Sequence, residues 1–315
     1  MRALTGTDPA EAARRLRSGQ LVALPTETVY GLGGNALDPT AVSGIFAAKN
    51  RPSFDPLILH QSSAERVLAY ARAVPEAARR LAGALWPGPL TLVLPRVAAV
   101  PDLVTAGLDT VALRVPAHPL TRAVLESVDF PVAAPSANPF GFVSPVTAAH
   151  VARQLGGRID YILDGGACRV GLESTIVGFP GGVPTVLRKG GTPVEAIEEL
   201  LGRTVAVRTH GSSRPEAPGM LSNHYSPGLP LFLVDGRPTA GTAARATVRF
   251  GEAAGNTYEY SLSESGDLEE AARRLFTVLR QLSEAGYAAA EVALVPERGL
   301  GRAINDRLRR AAQRP

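Results

Sequence analysis

Short apolar runs of three to five residues recur along this chain between glycine, proline and asparagine, alternating with longer segments that carry helix caps. Runs that short, rich in β-branched residues and closed by turn formers, read as buried strands. Residues 21–24, 56–60, 91–94, 111–115, 132–134, 161–163, 175–177 and 185–188 fit the description. Between them, Asp8-Pro9-Ala10-Glu11 resembles a capping box with proline at the first helical position, and Gly19 ends that helix. A second helix opens at Asp38-Pro39, a third spans 65–85 with a break near Pro75, and Thr192-Pro193 caps a fourth. The alternation predicts an α/β domain with a largely buried sheet.

From about residue 204 to 230 the periodicity fades into Arg, Ser, Pro and Gly, as in a linker. Strands at 231–234, 247–250, 258–262 and 292–295 follow, with helices at 267–285 and 304–312. The expected division is a domain over 1–203, a linker over 204–230, and a smaller α/β unit over 231–315.

With 315 residues, 45% hydrophobic and 20% charged, the chain can bury a sizeable core. Its one cysteine, Cys168, excludes an intramolecular disulfide framework, and the five histidines do not fall at metal-ligand spacing, so no protein metal site is expected. The first twenty residues lack an apolar leader, and no run approaches the roughly 18 apolar residues of a membrane span. A cytoplasmic protein without membrane contact is expected.

Net charge is +4 and the pI about 9.5, but the arginines are scattered in pairs at helix ends. That pattern permits a weak tRNA contact without arguing for one and favours a small anionic ligand. Of the thirty-three basic residues only Lys49 and Lys189 are lysine. An ammonium kept in an arginine-biased chain suggests a geometry that the planar guanidinium fork does not fit, and phosphate is the natural partner.

Common catalytic signatures are missing: there is no G-x-S-x-G, no H-E-x-x-H and no G-x-x-x-x-G-K-[ST]. Gly31-Leu32-Gly33-Gly34-Asn35-Ala36 satisfies G-x-G-x-x-A, yet six residues separate it from the preceding strand, so it reads as a tight turn. Gly299-Leu300-Gly301 reads as a turn feeding the last helix.

Polar residues gather at strand ends and in loops: Thr26-Glu27-Thr28, Lys49, Arg51, Arg114, Ser136-Ala137-Asn138, Ser144, Glu173-Ser174-Thr175 and Arg188. Each alone reads as a turn residue, a cap or an ion-pair partner. Together they offer four cations and several hydroxyls without a nucleophile–histidine or acid/base pair, which suits activation of a polyphosphate more than hydrolysis.

Several motifs occur in a fixed order: Pro25-Thr26-Glu27-Thr28-Val29-Tyr30-Gly31-Leu32-Gly33, Lys49-Asn50-Arg51-Pro52, Trp86-Pro87-Gly88-Pro89-Leu90-Thr91, Ala134-Pro135-Ser136-Ala137-Asn138 and Gly171-Leu172-Glu173-Ser174-Thr175-Ile176-Val177. Later come Pro218-Gly219-Met220, His224-Tyr225-Ser226-Pro227 and Gly299-Leu300-Gly301-Arg302-Ala303-Ile304-Asn305-Asp306-Arg307-Leu308. The chain resembles the YrdC/Sua5 family of threonylcarbamoyl-AMP synthases in its longer form.

That resemblance implies a YrdC-like twisted mixed sheet with a concave basic cleft, and a smaller Rossmann-like C-terminal domain. It implies condensation of L-threonine, bicarbonate and ATP, with Mg²⁺, into L-threonylcarbamoyl-adenylate and pyrophosphate. The adenylate would pass to a transferase machinery that builds N6-threonylcarbamoyladenosine in tRNA. By the same resemblance Lys49 and Arg51 neutralise ATP, which also meets Thr110, Ser136, Asn138, Ser144, Arg188 and Tyr225. Thr26, His60, Arg114, Ala134 and Ser174 face threonine, and the His224-Tyr225 segment is a lid. Two positions depart from the family pattern: Asp55, either a Mg²⁺ contact or a cap, and the bulky Phe140-Gly141-Phe142 loop. The rival from another class is a non-catalytic tRNA or double-stranded RNA binder. Carbamoyl transfer from carbamoyl phosphate would need acylphosphatase and zinc-finger segments that this chain does not carry.

Overall fold

The computed structural model describes residues 3–208 and 225–313. Among them the larger sheet has eleven strands: β1 (Leu4–Gly6), β2 (Val22–Leu24), β3 (Gly31–Asn35), β4 (Ile58–His60), β5 (Leu90–Pro95), β6 (Thr110–Arg114), β7 (Val132–Ala133), β8 (Tyr161–Leu163), β9 (Thr175–Gly178), β10 (Thr185–Arg188) and β11 (Ala206–Val207). They lie in the order β1-β8-β2-β3-β7-β4-β6-β5-β9-β10-β11, mixing parallel and antiparallel neighbours. Helices α1 (Pro9–Arg17), α2 (Pro39–Lys49), α3 (Ala64–Leu68), α4 (Glu76–Leu85), α5 (Asp102–Thr105), α6 (Pro119–Ser127), α7 (Ala148–Leu155) and α8 (Val194–Leu201) accompany it.

The C-terminal unit has four parallel strands, β12 (Leu231–Val234), β13 (Arg245–Arg249), β14 (Glu259–Ser261) and β15 (Ala289–Ala293), in the order β12-β15-β13-β14. Helices α9 (Leu268–Ala285) and α10 (Gly301–Ala312) complete it.

Local chemistry sets these boundaries. Asp8 caps α1 by accepting the Ala10 amide at 2.8 Å, with Pro9 at the first helical position. Glu11 does not close the expected box, because its carboxylate pairs with Arg14 and Arg15. Asp38 caps α2 through Thr40, and Asn50 ends it in the left-handed region with φ 51°, leaving Lys49 buried in the last turn.

Three expectations differ from what is found. The glycine run 31–35 is a buried strand rather than a tight turn, paired with β2 and β7. Its glycines answer a packing demand: a Cβ on Gly33 would lie 3.0 Å from both Leu24 Cδ1 and Val132 Cγ1. The helical stretch 65–85, expected to break near Pro75, breaks over all of residues 69–75 into two separate helices, α3 and α4. Helices α6 and α7 were not expected, although Pro119 starts one and Thr147 caps the other through the His150 amide at 3.2 Å.

One apolar cluster runs from the large sheet into the C-terminal unit, joining Leu59, Leu113 and Val177 to Leu275, Leu279 and Ile304. The two units meet closely at Gly171, which has φ +78° and whose Cβ would lie 2.5 Å from the Ala272 carbonyl oxygen. Among the described residues no helix is long and apolar enough to cross a membrane.

Candidate active site

Side chains two positions apart on a strand share a face, and one face of the large sheet forms the floor of a cleft. Leu24 with Thr26, Ile58 with His60, and Val132 with Ala134 and Ser136 all line it, joined by Arg51, Arg114, Glu173, Ser174, Arg188 and Tyr225. Distant strands β2, β4, β6, β7, β9 and β10 therefore deliver the polar groups that sequence alone leaves scattered.

On one side, the Thr26 hydroxyl accepts the Thr28 and Val29 amides, each at 3.2 Å, and closes the turn after β2. That turn aims Glu27 and Thr28 at Arg114, whose Nη2 lies 2.5 Å from Glu27 Oε1 and 2.9 Å from Thr28 Oγ1. Arg114 Nε donates to the Gly88 carbonyl at 3.3 Å. Burial pushes the Glu27 carboxyl up, but the Arg114 charge and the Ala117 amide outweigh it and hold Glu27 below the ordinary carboxylate value.

His60 faces the same side, with Nδ1 3.1 Å from the Ile58 carbonyl oxygen. Burial, reinforced by Arg114, lowers its pKa to about 3. The unfolded chain therefore takes up a proton on falling below pH 6.5 that the folded one refuses until about 3, so this part of the stability is present above 6.5 and lost as pH falls through that window. A His60→Gln variant is expected to lose less stability between pH 7 and pH 4.5 than the parent in urea titrations. Equal losses would mean that His60 is not the group responsible.

On the other side, Arg188 at the end of β10 donates to the Ser174 carbonyl at 2.9 Å and to its hydroxyl at 3.0 Å, and Ser174 Oγ lies 2.7 Å from Thr91 Oγ1. Burial lowers the Arg188 pKa to about 10, which leaves it cationic near neutrality. Arg51 is held by the Asp55 and Pro56 carbonyls at 3.1 and 2.8 Å and by the Asp55 carboxylate at 2.9 Å. Asp55 is thus an ion-pair partner of Arg51 across the turn that follows α2. Glu173 accepts the Ser144 hydroxyl at 2.5 Å and meets Arg307 at 3.0 Å. Burial pushes its carboxyl up as well, but Arg307, Arg188 and Ser144 hold it below the ordinary value.

Four sequence candidates do not line the cleft. Lys49 Nζ lies behind its wall and donates to the Ser136 carbonyl at 2.5 Å and to the Asn138 carbonyl. Asn138 shapes that loop, its amide donating to the Pro139 and Phe142 carbonyls at 2.8 and 2.9 Å. Ser144 acts through Glu173. Thr110 sits at the opposite end of β6 from Arg114, paired with Pro95 of β5. The bulky loop meets the linker's end, where the Ser226 amide donates to the Gly141 carbonyl at 3.0 Å. His224 and Pro218-Gly219-Met220 lie outside the described residues, whereas Tyr225 is buried in the cleft wall.

Sequence reading gathered Glu27 and Glu173 with the cleft residues without giving them a role, took Asp55 as a Mg²⁺ contact or a cap rather than the partner of Arg51, and missed Arg307 as a site residue. Glu27 and Glu173 lie within quoted motifs, and Asp55 follows the Lys49–Pro52 motif by three residues. Arg307 gives no local signal. Among the described residues no group of three His, Cys, Asp or Glu side chains could hold a metal ion, and the nearby carboxylates Asp55 and Glu173 are paired with arginines. The donor set does not fit a resident metal.

The model of the Sua5, YciO and YrdC family, described as telomere recombination, matches residues 14–190. A second, described as threonylcarbamoyl-AMP synthase, C-terminal domain, matches residues 192–313. The threonylcarbamoyl-AMP synthase of Pyrococcus abyssi is 43% identical over 96% of this chain and 93% of its own length. That of Bacillus subtilis is 39% identical over 98% and 94%. The crystal structure of P. abyssi Sua5 complexed with L-threonine superposes with a TM-score of 0.91 at 38% identity, covering 99% of this chain and 98% of that one. This chain belongs to the Sua5, YciO and YrdC family, in the form that carries the threonylcarbamoyl-AMP synthase C-terminal domain.

Proposed function

We propose that the cleft joins L-threonine, bicarbonate and ATP into L-threonylcarbamoyl-adenylate with release of pyrophosphate, the activated group for N6-threonylcarbamoyladenosine in tRNA. One observation carries this reading: three arginines from separate parts of the chain, Arg51, Arg114 and Arg188, line one cleft whose family relatives are threonylcarbamoyl-AMP synthases.

The threonine amine attacks bicarbonate carbon, and loss of water leaves a carbamate. A carbamate oxygen then attacks the α-phosphorus of ATP, and the bond to the bridging oxygen breaks as pyrophosphate leaves. Carbamate and triphosphate are both anionic, so without cations their approach in a low-dielectric cleft is repulsive. Arg51 and Arg188 offset the triphosphate charge, and Lys49 fixes the Ser136–Asn138 loop against it. Arg114, braced by Glu27, takes the threonine carboxylate as a charge-assisted pair, with Thr26, His60, Ala134 and Ser174 around it. No residue need act as a nucleophile, because alignment of two bound reactants supplies most of the acceleration. Mg²⁺ enters with ATP, as part of the substrate. The adenylate goes on to a tRNA threonylcarbamoyl-transferase machinery.

Counted to its solvent mouth, the cleft holds about 720 Å³. Tyr225, buried in the cleft wall, helps shield a hydrolysis-prone product from water.

Purified protein given ATP, threonine and labelled bicarbonate is expected to release pyrophosphate and to form a labelled adenylate only when threonine is present. Pyrophosphate release that ignores threonine, or no labelled adenylate, overturns the reading.

A further inference from the structure

The C-terminal unit reaches the cleft through Arg307, which is 0% exposed and projects from α10. Its Nε lies 3.0 Å from Glu173 Oε2, its Nη1 2.6 Å from Asp306, and its Nη2 donates to the Lys189 carbonyl at 2.8 Å. Arg307 and Arg310 also lie 5.0 and 4.8 Å from the centroid of the Tyr225 ring, and Phe276 of α9 stacks on that ring at 5.6 Å. Glu173 and Tyr225 line the cleft beside Arg188. The side chains of Thr26, His60 and Arg114 instead take their hydrogen-bond partners from residues 27–132, and of the residues placed around threonine Ser174 bonds across to Arg188.

We infer that Arg307 is a positioning residue for the nucleotide half of the cleft, so that the C-terminal unit sets the affinity for ATP and not that for threonine. The inference rests on the reaction proposed above.

Glu173 is an anion in the wall that faces the triphosphate, and Arg307 supplies its counter-charge. Take the guanidinium away and the buried carboxylate keeps only the Ser144 hydroxyl and the charge of Arg188, itself needed for the triphosphate, where further negative charge must come. Tyr225 loses a cation against its ring in the same stroke. A lysine keeps the charge but loses the fork that reaches Glu173 and the Lys189 carbonyl together.

Initial rates of pyrophosphate release test this, with ATP varied at saturating threonine and threonine varied at saturating ATP. In Arg307→Met the KM for ATP is expected to rise about tenfold or more, and in Arg307→Lys a few-fold, while the KM for threonine stays within about twofold in both. A merely structural role would lower the amount of active protein and leave both KM values alone. Unchanged KM for ATP in the folded variants, or an equal rise for both substrates, overturns the inference. Thermal unfolding reports folding, and Arg307→Lys carries the test if the methionine variant does not fold. Should the parent protein make no adenylate, the reaction itself is wrong. Equilibrium binding of ATP to parent and Arg307→Lys then decides the inference, with equal affinities against it.

Discussion

Replacing Arg114 by methionine is expected to lower kcat/KM for threonine by about 10²- to 10³-fold, the usual cost of losing a preorganised charged donor. It is also expected to destabilise the fold by about 3–5 kcal/mol, because Glu27 would stay buried without its counter-charge. These effects separate on adding Glu27→Gln. The double variant recovers stability, since the uncompensated carboxylate is gone, but not threonine turnover, since the cation is still missing. Arg114→Lys is expected to fold and still bind threonine poorly, because one ammonium cannot serve Gly88, Thr28, Glu27 and a substrate carboxylate as the fork can. Urea unfolding and threonine-dependent pyrophosphate release report the two halves. A double variant that regains both activity and stability would mean that Arg114 only neutralises Glu27.

Lys49→Met is expected to reduce kcat/KM for ATP by about 10²-fold, although the ammonium stands behind the wall and not on it. Its role is to gather the Ser136 and Asn138 carbonyls from one loop, and without that clasp the loop is free to turn its polar groups away. Lys49→Arg is expected to fail too, since a planar guanidinium is larger than the fully buried space between two carbonyls. Burial, followed by the neighbouring Arg51 charge, lowers the Lys49 pKa well below the ordinary lysine value, with Asp55 acting the other way. An unfolded lysine binds its proton near pH 10.4, so stability held above that value falls as pH decreases and the folded state resists protonation. The stability gap between parent and Lys49→Met should thus narrow as pH falls below about 10.4. A gap that widens as pH falls, or wild-type turnover in Lys49→Arg, would remove the clasp from the account.

Much of this architecture was legible because short-range signals carry it. Asp8-Pro9 and Asp38-Pro39 announce helices, and strands such as Thr185–Arg188 and Leu231–Val234 stand where β-branched or apolar runs sit between turn formers. Glycine misled where packing, not conformation, was the reason for it: 31–35 carries the residues of a turn and forms a strand because Leu24 and Val132 leave no space for a side chain. In the cleft, Thr26, Ser136 and Ser174 from the ordered motifs meet His60, Arg114 and Arg188 from outside them. Thr110 does not, because four residues of extended chain carry it away from Arg114. Arg307 was illegible for a different reason. Its partner stands 134 positions earlier, and no spacing rule connects residues that only tertiary packing brings together.

The glycine-lined stretch of β3 has a consequence for how this family can drift. Gly31 forms part of the cleft surface, and a Cβ there would stand 3.2 Å from that of Ala134. That part of the basin is bare main chain, which offers selection no side chain to lengthen, shorten or recharge. A change in which amino acid the cleft accepts must therefore come from the side chains beside this stretch, such as Thr26 and His60, and not from the stretch itself.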